Sequence, residues 1–339
     1  MIQDELVATA SALVADHKGL LAMDESTGTC NKRFATYGIE QTEEMRRKYR
    51  ELIVTTPNLN ESISGAILFD ETIRQRKLDG TPFIKILIDA GIIPGIKLDL
   101  GAKPLALFPG EKVTEGLDGL RERLSEYKSM GARFAKWRAV LNIEDGLPTA
   151  GCIDANVHTL ARYAALCQEV GLVPIVEPEV LMDGDHSLKR CLNVTNDVLH
   201  QVFEALYSQR ILLEGMLLKP NMILPGLDSA VQESVAEVAD ATVKCLLNSV
   251  PTSVAGIAFL SGGQSAELAS ERLNAMNKKY KSHLPWALTF SFGRALQQPS
   301  LEIWKGNDAN IEAAQQALIK RAKCNRAACM GIYSKATDT

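Results

Sequence analysis

Eight short apolar runs, each ending in a polar cluster, recur along the chain: GLLAMDES, ISGAILFDE, IIPGIKLD, FAKWRAVL, VPIVEPEV, GMLLKPNM, VAGIAFLSGG and WALTFSFGR. Between them lie longer stretches with helical periodicity, among them TEEMRRKYRELIVT, GLDGLRERLSEYKSMG, NVHTLARYAALCQEVG and SAELASERLNAMNKKY, most bounded by glycine or proline. Short strands that are apolar throughout are buried on both faces, and their alternation with helices implies a parallel sheet. No Pro/Gly/Ser-rich linker or low-complexity tract separates any two units. The pattern therefore specifies an α/β chain folded as a closed (β/α)8 TIM barrel, one catalytic domain over residues 1–339, rather than two doubly wound domains.

Length alone does not decide between those architectures, since 339 residues suit either. A composition of 46% hydrophobic and 23% charged residues is that of an ordinary globular protein. The net charge of -4 argues against nucleic acid or an anionic membrane surface as the main partner, so any anion site must be local. The seven cysteines are scattered and never form C-x-x-C, which points to reduced thiols rather than a disulfide framework or a thiolate zinc site. MIQDELVATASALVADHKG has early acids and no basic n-region, so neither a secretory leader nor an Arg-rich transit peptide is expected. No run approaches the roughly 18 apolar residues of a membrane span. The expected location is the cytoplasm, with a mature form in the plastid stroma as the alternative.

Catalytic groups of this barrel gather at the C-terminal ends of the strands. Residues i and i+2 of a strand share a face about 6.6 Å apart, which pairs Asp24 with Ser26, Lys97 with Asp99, Lys136 with Arg138, and Glu177 with Glu179. Lys219 shares its face with Leu217 and stands directly behind Met216, Leu217 and Leu218. A buried amine is costly when charged without a partner and otherwise shifts toward its neutral, nucleophilic form. No acid lies within two residues of Lys219, so its partner must come from another strand. Lys219, Glu177, Lys136 and Asp24 are the candidate catalytic groups, with Glu179 and Asp99 read as acids that orient the lysines.

FLSGGQSAEL ends the seventh run in Gly262 and Gly263 and leads into a helix, where unpaired backbone N–H groups can hold a phosphate. SFGRAL supplies Arg294, whose planar fork suits phosphate oxygens. A second basic cluster of Lys97, Arg33 and Arg46 lies near Ser26 and Thr29. Two anion sites flanking one amine suggest a bisphosphate. A neutral lysine between them would attack a ketone to give an iminium, whose nitrogen withdraws electrons so that the next carbon–carbon bond can break. Nearby Lys136 would favour the neutral amine by like-charge repulsion. No cofactor and no metal are expected, because the five histidines are dispersed and the nearest miss, His186 in DGDHSLKR, reads as a surface residue.

With those residues in hand, the chain resembles class I fructose-bisphosphate aldolase, in a plant- and algal-like form, on DESTG, GIKLD, MGARFAKWR, IVEPE, LLKPNM, FLSGGQS and FSFGRAL, in the family's order, over nearly all of residues 10–333. The resemblance implies that Lys219 forms the Schiff base, that Glu177 is the acid/base of dehydration and cleavage, that Lys136 and Asp24 assist, and that Glu179 supports the lysine. It implies that Ser261, Gly262, Gly263, Ser291, Gly293 and Arg294 bind the phosphate nearest the ketone, and that Ser26, Thr29, Lys97 and Arg33 hold the distal one. Arg138 joins the substrate-binding set. Fructose 1,6-bisphosphate would be cleaved to dihydroxyacetone phosphate and glyceraldehyde 3-phosphate, in glycolysis, gluconeogenesis or the Calvin cycle, by a homotetramer that binds small sugar phosphates, neither nucleic acid nor membranes. Family members carry a flexible tail ending in tyrosine. Here CMGIYSKATDT places Tyr333 at the start of such a tail, so the expectation is that the tail is lacking and that water or another group protonates the carbanion. A transaldolase or deoxyribose-phosphate aldolase would share the barrel and lysine, but two phosphate sites argue against both. A catalytically silent scaffold would leave the four charged groups unexplained.

Overall fold

The computed structural model describes residues 2–338. All eight expected strands form: β1 Gly19–Met23, β2 Ile63–Leu68, β3 Ile93–Lys97, β4 Phe134–Leu141, β5 Val173–Val180, β6 Leu217–Leu218, β7 Gly256–Phe259 and β8 Ala287–Phe292. Each pairs in parallel with its sequence neighbours, and β8 returns to β1 to close the barrel. A small antiparallel hairpin, Ala102–Pro104 with Lys112–Thr114, is inserted after β3. Among the described residues no helix is long and apolar enough to cross a membrane. All seven cysteines are free and buried.

β6 is shorter than the apolar run that encodes it. Pro220 has no N–H to continue the ladder. Lys219 nevertheless stays in line, because its backbone N–H donates to Val176 O at 2.8 Å. The helices are set by local signals: Thr42 accepts from the Met45 N–H at the start of Glu43–Val54, whose first turn carries Glu43 and Glu44 against the positive end of the dipole.

The barrel interior is packed rather than hollow. Leu20, Ala22, Ile67, Phe134, Ile175 and Leu217 fill it, and Leu6, Ala10 and Leu13 of the helix Ile2–Leu13 close its N-terminal end. A larger apolar layer lies between the strands and the surrounding helices. The inward face of each strand is thus apolar at the bottom, and the next inward positions are Asp24 after Ala22, Lys136 after Phe134, Glu177 after Ile175 and Lys219 after Leu217. Alternation carries these charges to the other end of the same packed column.

Glycine is required where the floor is tightest. A Cβ at Gly95 would stand 2.3 Å from the Phe134 ring, far inside contact distance. Gly95→Ala should therefore lower stability by about 1–3 kcal/mol in urea unfolding. Adding Phe134→Leu should recover part of that loss if the ring is the obstacle; additive losses in the double-mutant cycle would show that it is not.

Candidate active site

The C-terminal mouth of the barrel opens into a cavity of about 810 Å³. Apart from Arg46, the residues expected there from the sequence line it: Asp24, Ser26, Thr29 and Arg33 beyond β1, Lys97 on β3, Lys136 and Arg138 on β4, Glu177 and Glu179 on β5, and Lys219 beyond β6. The turn after β7 contributes Ser261, Gly262 and Gly263, and the β8 end contributes Ser291, Gly293 and Arg294.

At the base of the cavity four buried charges form one chain. Lys219 Nζ lies 3.1 Å from Glu177 Oε1, Lys136 Nζ lies 3.2 Å from Glu177 Oε2, and Lys136 Nζ lies 2.7 Å from Asp24 Oδ2. The partner that Lys219 needed is therefore Glu177 of the neighbouring strand. Among the described residues Glu177 Oε2 makes an ion pair with Lys136 but not a well-aligned hydrogen bond, so it stays open to a further donor. The lysine–lysine repulsion expected from the sequence is offset here by a carboxylate shared between the two amines. Burial opposes charge on Asp24, but the ammonium groups of Lys136, Lys219 and Lys97 pull its carboxyl down from 3.8 to about 2. Burial likewise opposes charge on Lys136, and Asp24, Glu177 and Asp99 outweigh it, holding that ammonium well above the usual lysine range.

Other expected roles are redistributed. Glu179 does not touch Lys219; its carboxylate accepts from Arg138 Nε, because Glu179 lies one inward step nearer the mouth than Glu177. Lys97 Nζ is held by Asp99, 2.6 Å from Oδ1 and 2.7 Å from its backbone O. Arg33 reaches the cavity with Nη1 already bonded to Glu25, which also binds Arg50 at 2.8 Å. Arg46 belongs to no anion site, since both its Nε and Nη2 are committed to Glu71 at 2.8 and 2.7 Å. Ser26 caps the helix Thr27–Thr36, accepting from the Thr29 N–H at 3.4 Å, and its hydroxyl lies 3.1 Å from that of Thr29. Glu25 is the functional-site residue that sequence reasoning missed. It was hidden because β1 ends at Met23, and strand alternation no longer tells where the following side chains point.

At the β7 and β8 ends several hydrogen-bond donors stand open. Gly262 and Gly263 adopt φ of +55° and +77°, open to glycine, and among the described residues their N–H groups have no partner. The Arg294 guanidinium lies beside Gly263, and among the described residues the 11-residue helix that Arg294 opens has no side-chain cap and the buried Ser291 hydroxyl has no partner. Unused donors thus converge on one corner.

His186 stands elsewhere than expected, and Tyr333 has a place of its own. His186 is buried at 8% exposure, because its loop is pinned to the one after β6 by Gly226 N–H donating to His186 O at 2.7 Å and Asp228 N–H donating to Gly184 O at 2.9 Å. Tyr333 does not line the cavity; it is packed in the outer core and its hydroxyl donates to Asp338 Oδ2 at 2.6 Å. Among the described residues no three His, Cys, Asp or Glu side chains are grouped to hold a metal ion.

A family model described as fructose-bisphosphate aldolase class-I matches residues 5–339. A relative from Xanthomonas campestris, a probable fructose-bisphosphate aldolase class 1, is 57% identical over 331 residues, covering 97% of this chain and 98% of its own. Fructose-bisphosphate aldolase 6, cytosolic, of Arabidopsis thaliana is 51% identical over 97% of this chain and 92% of its own. A solved fructose-bisphosphate aldolase from Plasmodium falciparum, crystallised with TRAP and a small-molecule inhibitor, superposes with a TM-score of 0.96 at 47% identity, covering 98% of this chain and 96% of that one.

Because the Asp24 value is depressed in the fold, its stabilisation is present above about pH 4 and fades as pH falls toward 2. The stability difference between wild type and Asp24→Asn should therefore narrow by about 1 kcal/mol from about pH 6 to about pH 3. A difference that does not change over that window would show that Asp24 is not held by the lysines.

Proposed function

The chain belongs to the class I fructose-bisphosphate aldolase family, a family of lyases, and on that premise we propose that it cleaves fructose 1,6-bisphosphate through a Schiff base on Lys219. The observation that carries this reading is the buried chain Lys219–Glu177–Lys136–Asp24 facing two anion-binding corners.

Lys219 passes a proton to Glu177 and attacks the C2 ketone of the open-chain sugar, and the Lys136 ammonium offsets the charge growing on the carbonyl oxygen. A proton passes from the new nitrogen to that oxygen, Glu177 returns its own proton to the resulting hydroxyl, which leaves as water, and the iminium remains. Removal of the C4 hydroxyl proton, again toward Glu177, lets the C3–C4 electron pair collapse into the iminium. Glyceraldehyde 3-phosphate is released and the enamine stays on Lys219. Protonation at C3 and hydrolysis of the iminium then free dihydroxyacetone phosphate and the amine. The iminium nitrogen is the electron sink, so the scheme uses no metal or cofactor. Asp24 keeps Lys136 charged throughout. The hydroxyl of Tyr333 is engaged with Asp338, and the proposal gives enamine protonation to water or to a group inside the cavity.

The Gly262–Gly263 turn, Ser261, Ser291, Gly293 and Arg294 take the phosphate nearest the ketone. Lys97, Arg33, Ser26 and Thr29 take the distal phosphate, with Arg138 at the rim. Service in glycolysis, gluconeogenesis or the Calvin cycle, homotetrameric assembly and a cytoplasmic location belong to the same proposal. Family membership supports the first two, and the cytosolic Arabidopsis relative supports the third.

Borohydride reduction with fructose 1,6-bisphosphate in the presence of EDTA should leave an adduct of dihydroxyacetone phosphate mass on the peptide that contains Lys219, absent in Lys219→Met. Glu177→Gln should lower kcat by about 10²–10⁴-fold. Cleavage that disappears in EDTA and returns with a divalent metal, without any adduct, would overturn the lysine mechanism.

A further inference from the structure

Behind the turn that follows β7 lies a buried arginine with no part in the chemistry above. Arg272, on the helix Ala266–Tyr280, is 5% exposed, and its Nη1 donates to Gln264 Oε1 at 2.8 Å. Among the described residues its Nε is buried without a partner, and so is Oε2 of Glu233, the acid whose field reaches it. Burial pulls the guanidinium down to about 10, and Glu233 counters this only in part. A cation buried on such terms is a net burden on folding unless its geometry serves something else.

What it fixes is the orientation of one amide. Arginine can only donate, so the Gln264 oxygen must face Arg272 and the Gln264 nitrogen must face away from it. On that side Nε2 donates to Ser261 O at 2.9 Å. The same carbonyl accepts the Gln264 backbone N–H at 3.1 Å, so one side chain fastens both ends of the Ser261–Gln264 turn. Between those ends stand Gly262 and Gly263, the two residues of the turn with the widest conformational freedom. Without Arg272 the Gln264 amide is free to rotate, and the turn loses its brace.

We propose that Arg272 is a positioning residue for phosphate recognition: through Gln264 it holds the Ser261–Gly263 turn in the shape that receives the substrate phosphate nearest the ketone. This rests on the assignment of that turn, with Arg294, as a phosphate subsite. The residue never touches substrate, so its loss acts on affinity and leaves the chemistry of Lys219 in place.

The test compares wild type, Arg272→Met, Arg272→Lys and Arg294→Ala by KM and kcat for fructose 1,6-bisphosphate, by the inhibition constant of inorganic phosphate, and by thermal melting. Arg272→Met, which keeps volume but removes the donors, should raise both KM and the phosphate inhibition constant by about fivefold to tenfold, with kcat within about twofold. Arg272→Lys, which keeps a donor, should recover most of the affinity. If Arg272→Met does not fold, Gln264→Met poses the same question, with the same rise expected. Unchanged phosphate inhibition in the Arg272 variant, with or without a lower melting temperature, while Arg294→Ala weakens it, overturns the positioning role and leaves the subsite assignment standing. If Arg294→Ala itself leaves phosphate inhibition unchanged, the subsite assignment is wrong and the proposal falls with it.

Discussion

The site depends on one carboxylate shared by two buried amines. Glu177 stands between Lys219 and Lys136, and Asp24 holds Lys136 from the other side, so two acids and two bases share a water-poor pocket with no net charge. Each contact at about 3 Å contributes on the order of 5 kcal/mol of attraction at an effective dielectric near 20, and the desolvation of each ion opposes it with several kcal/mol. Neither side wins by a wide margin. In the proposed mechanism the alternating arrangement lets Glu177 serve Lys219 while Lys136 remains charged, since Asp24 is held ionised at neutral pH. Removing any one member leaves three buried groups whose charges no longer balance.

That chain is possible because the barrel separates stability from chemistry along the same strands. At the floor, Phe134 fills the space that Gly95 leaves open and the helix Ile2–Leu13 seals the end. Two residues further along β4, on the same inward face, stands Lys136. The packed column below thus fixes the height and direction of each charged side chain above. A lysine on a mobile loop would not stay within 3.1 Å of the Glu177 carboxylate.

This division explains what could be read from the sequence. Alternation within a strand showed which face Lys136, Glu177 and Lys219 share, and the polar ends of eight apolar runs marked the mouth. Pairings across the barrel were beyond it. Asp24 reaches Lys136 from β1, which borders only β2 and β8, and no local pattern encodes that span. Glu179 was expected to support Lys219, but it stands one inward step above Glu177 and meets Arg138 instead. Glu25 was hidden because strand geometry stops at Met23, and His186 was misread because its loop is buried by another loop 40 residues away, through a Gly226 N–H bond to His186 O.

The two anion corners differ in a way that bears on the order of product release in the proposed reaction. At the distal corner both cations already hold a carboxylate: Lys97 with Asp99, and Arg33 through Nη1 with Glu25, although Arg33 Nε and Nη2 have no partner among the described residues. A phosphate arriving there shares each cation with a carboxylate already in place, so part of its attraction is spent in exchanging partners. At the near corner the donors stand free among the described residues, with the Ser291 hydroxyl unpartnered and the glycine N–H groups open. A phosphate there gains new bonds without breaking old ones. The near corner is accordingly the tighter anchor. Once the C3–C4 bond breaks, the half of the sugar held by exchangeable pairs leaves first, while the half held by the free donors stays aligned with Lys219 until its iminium is hydrolysed.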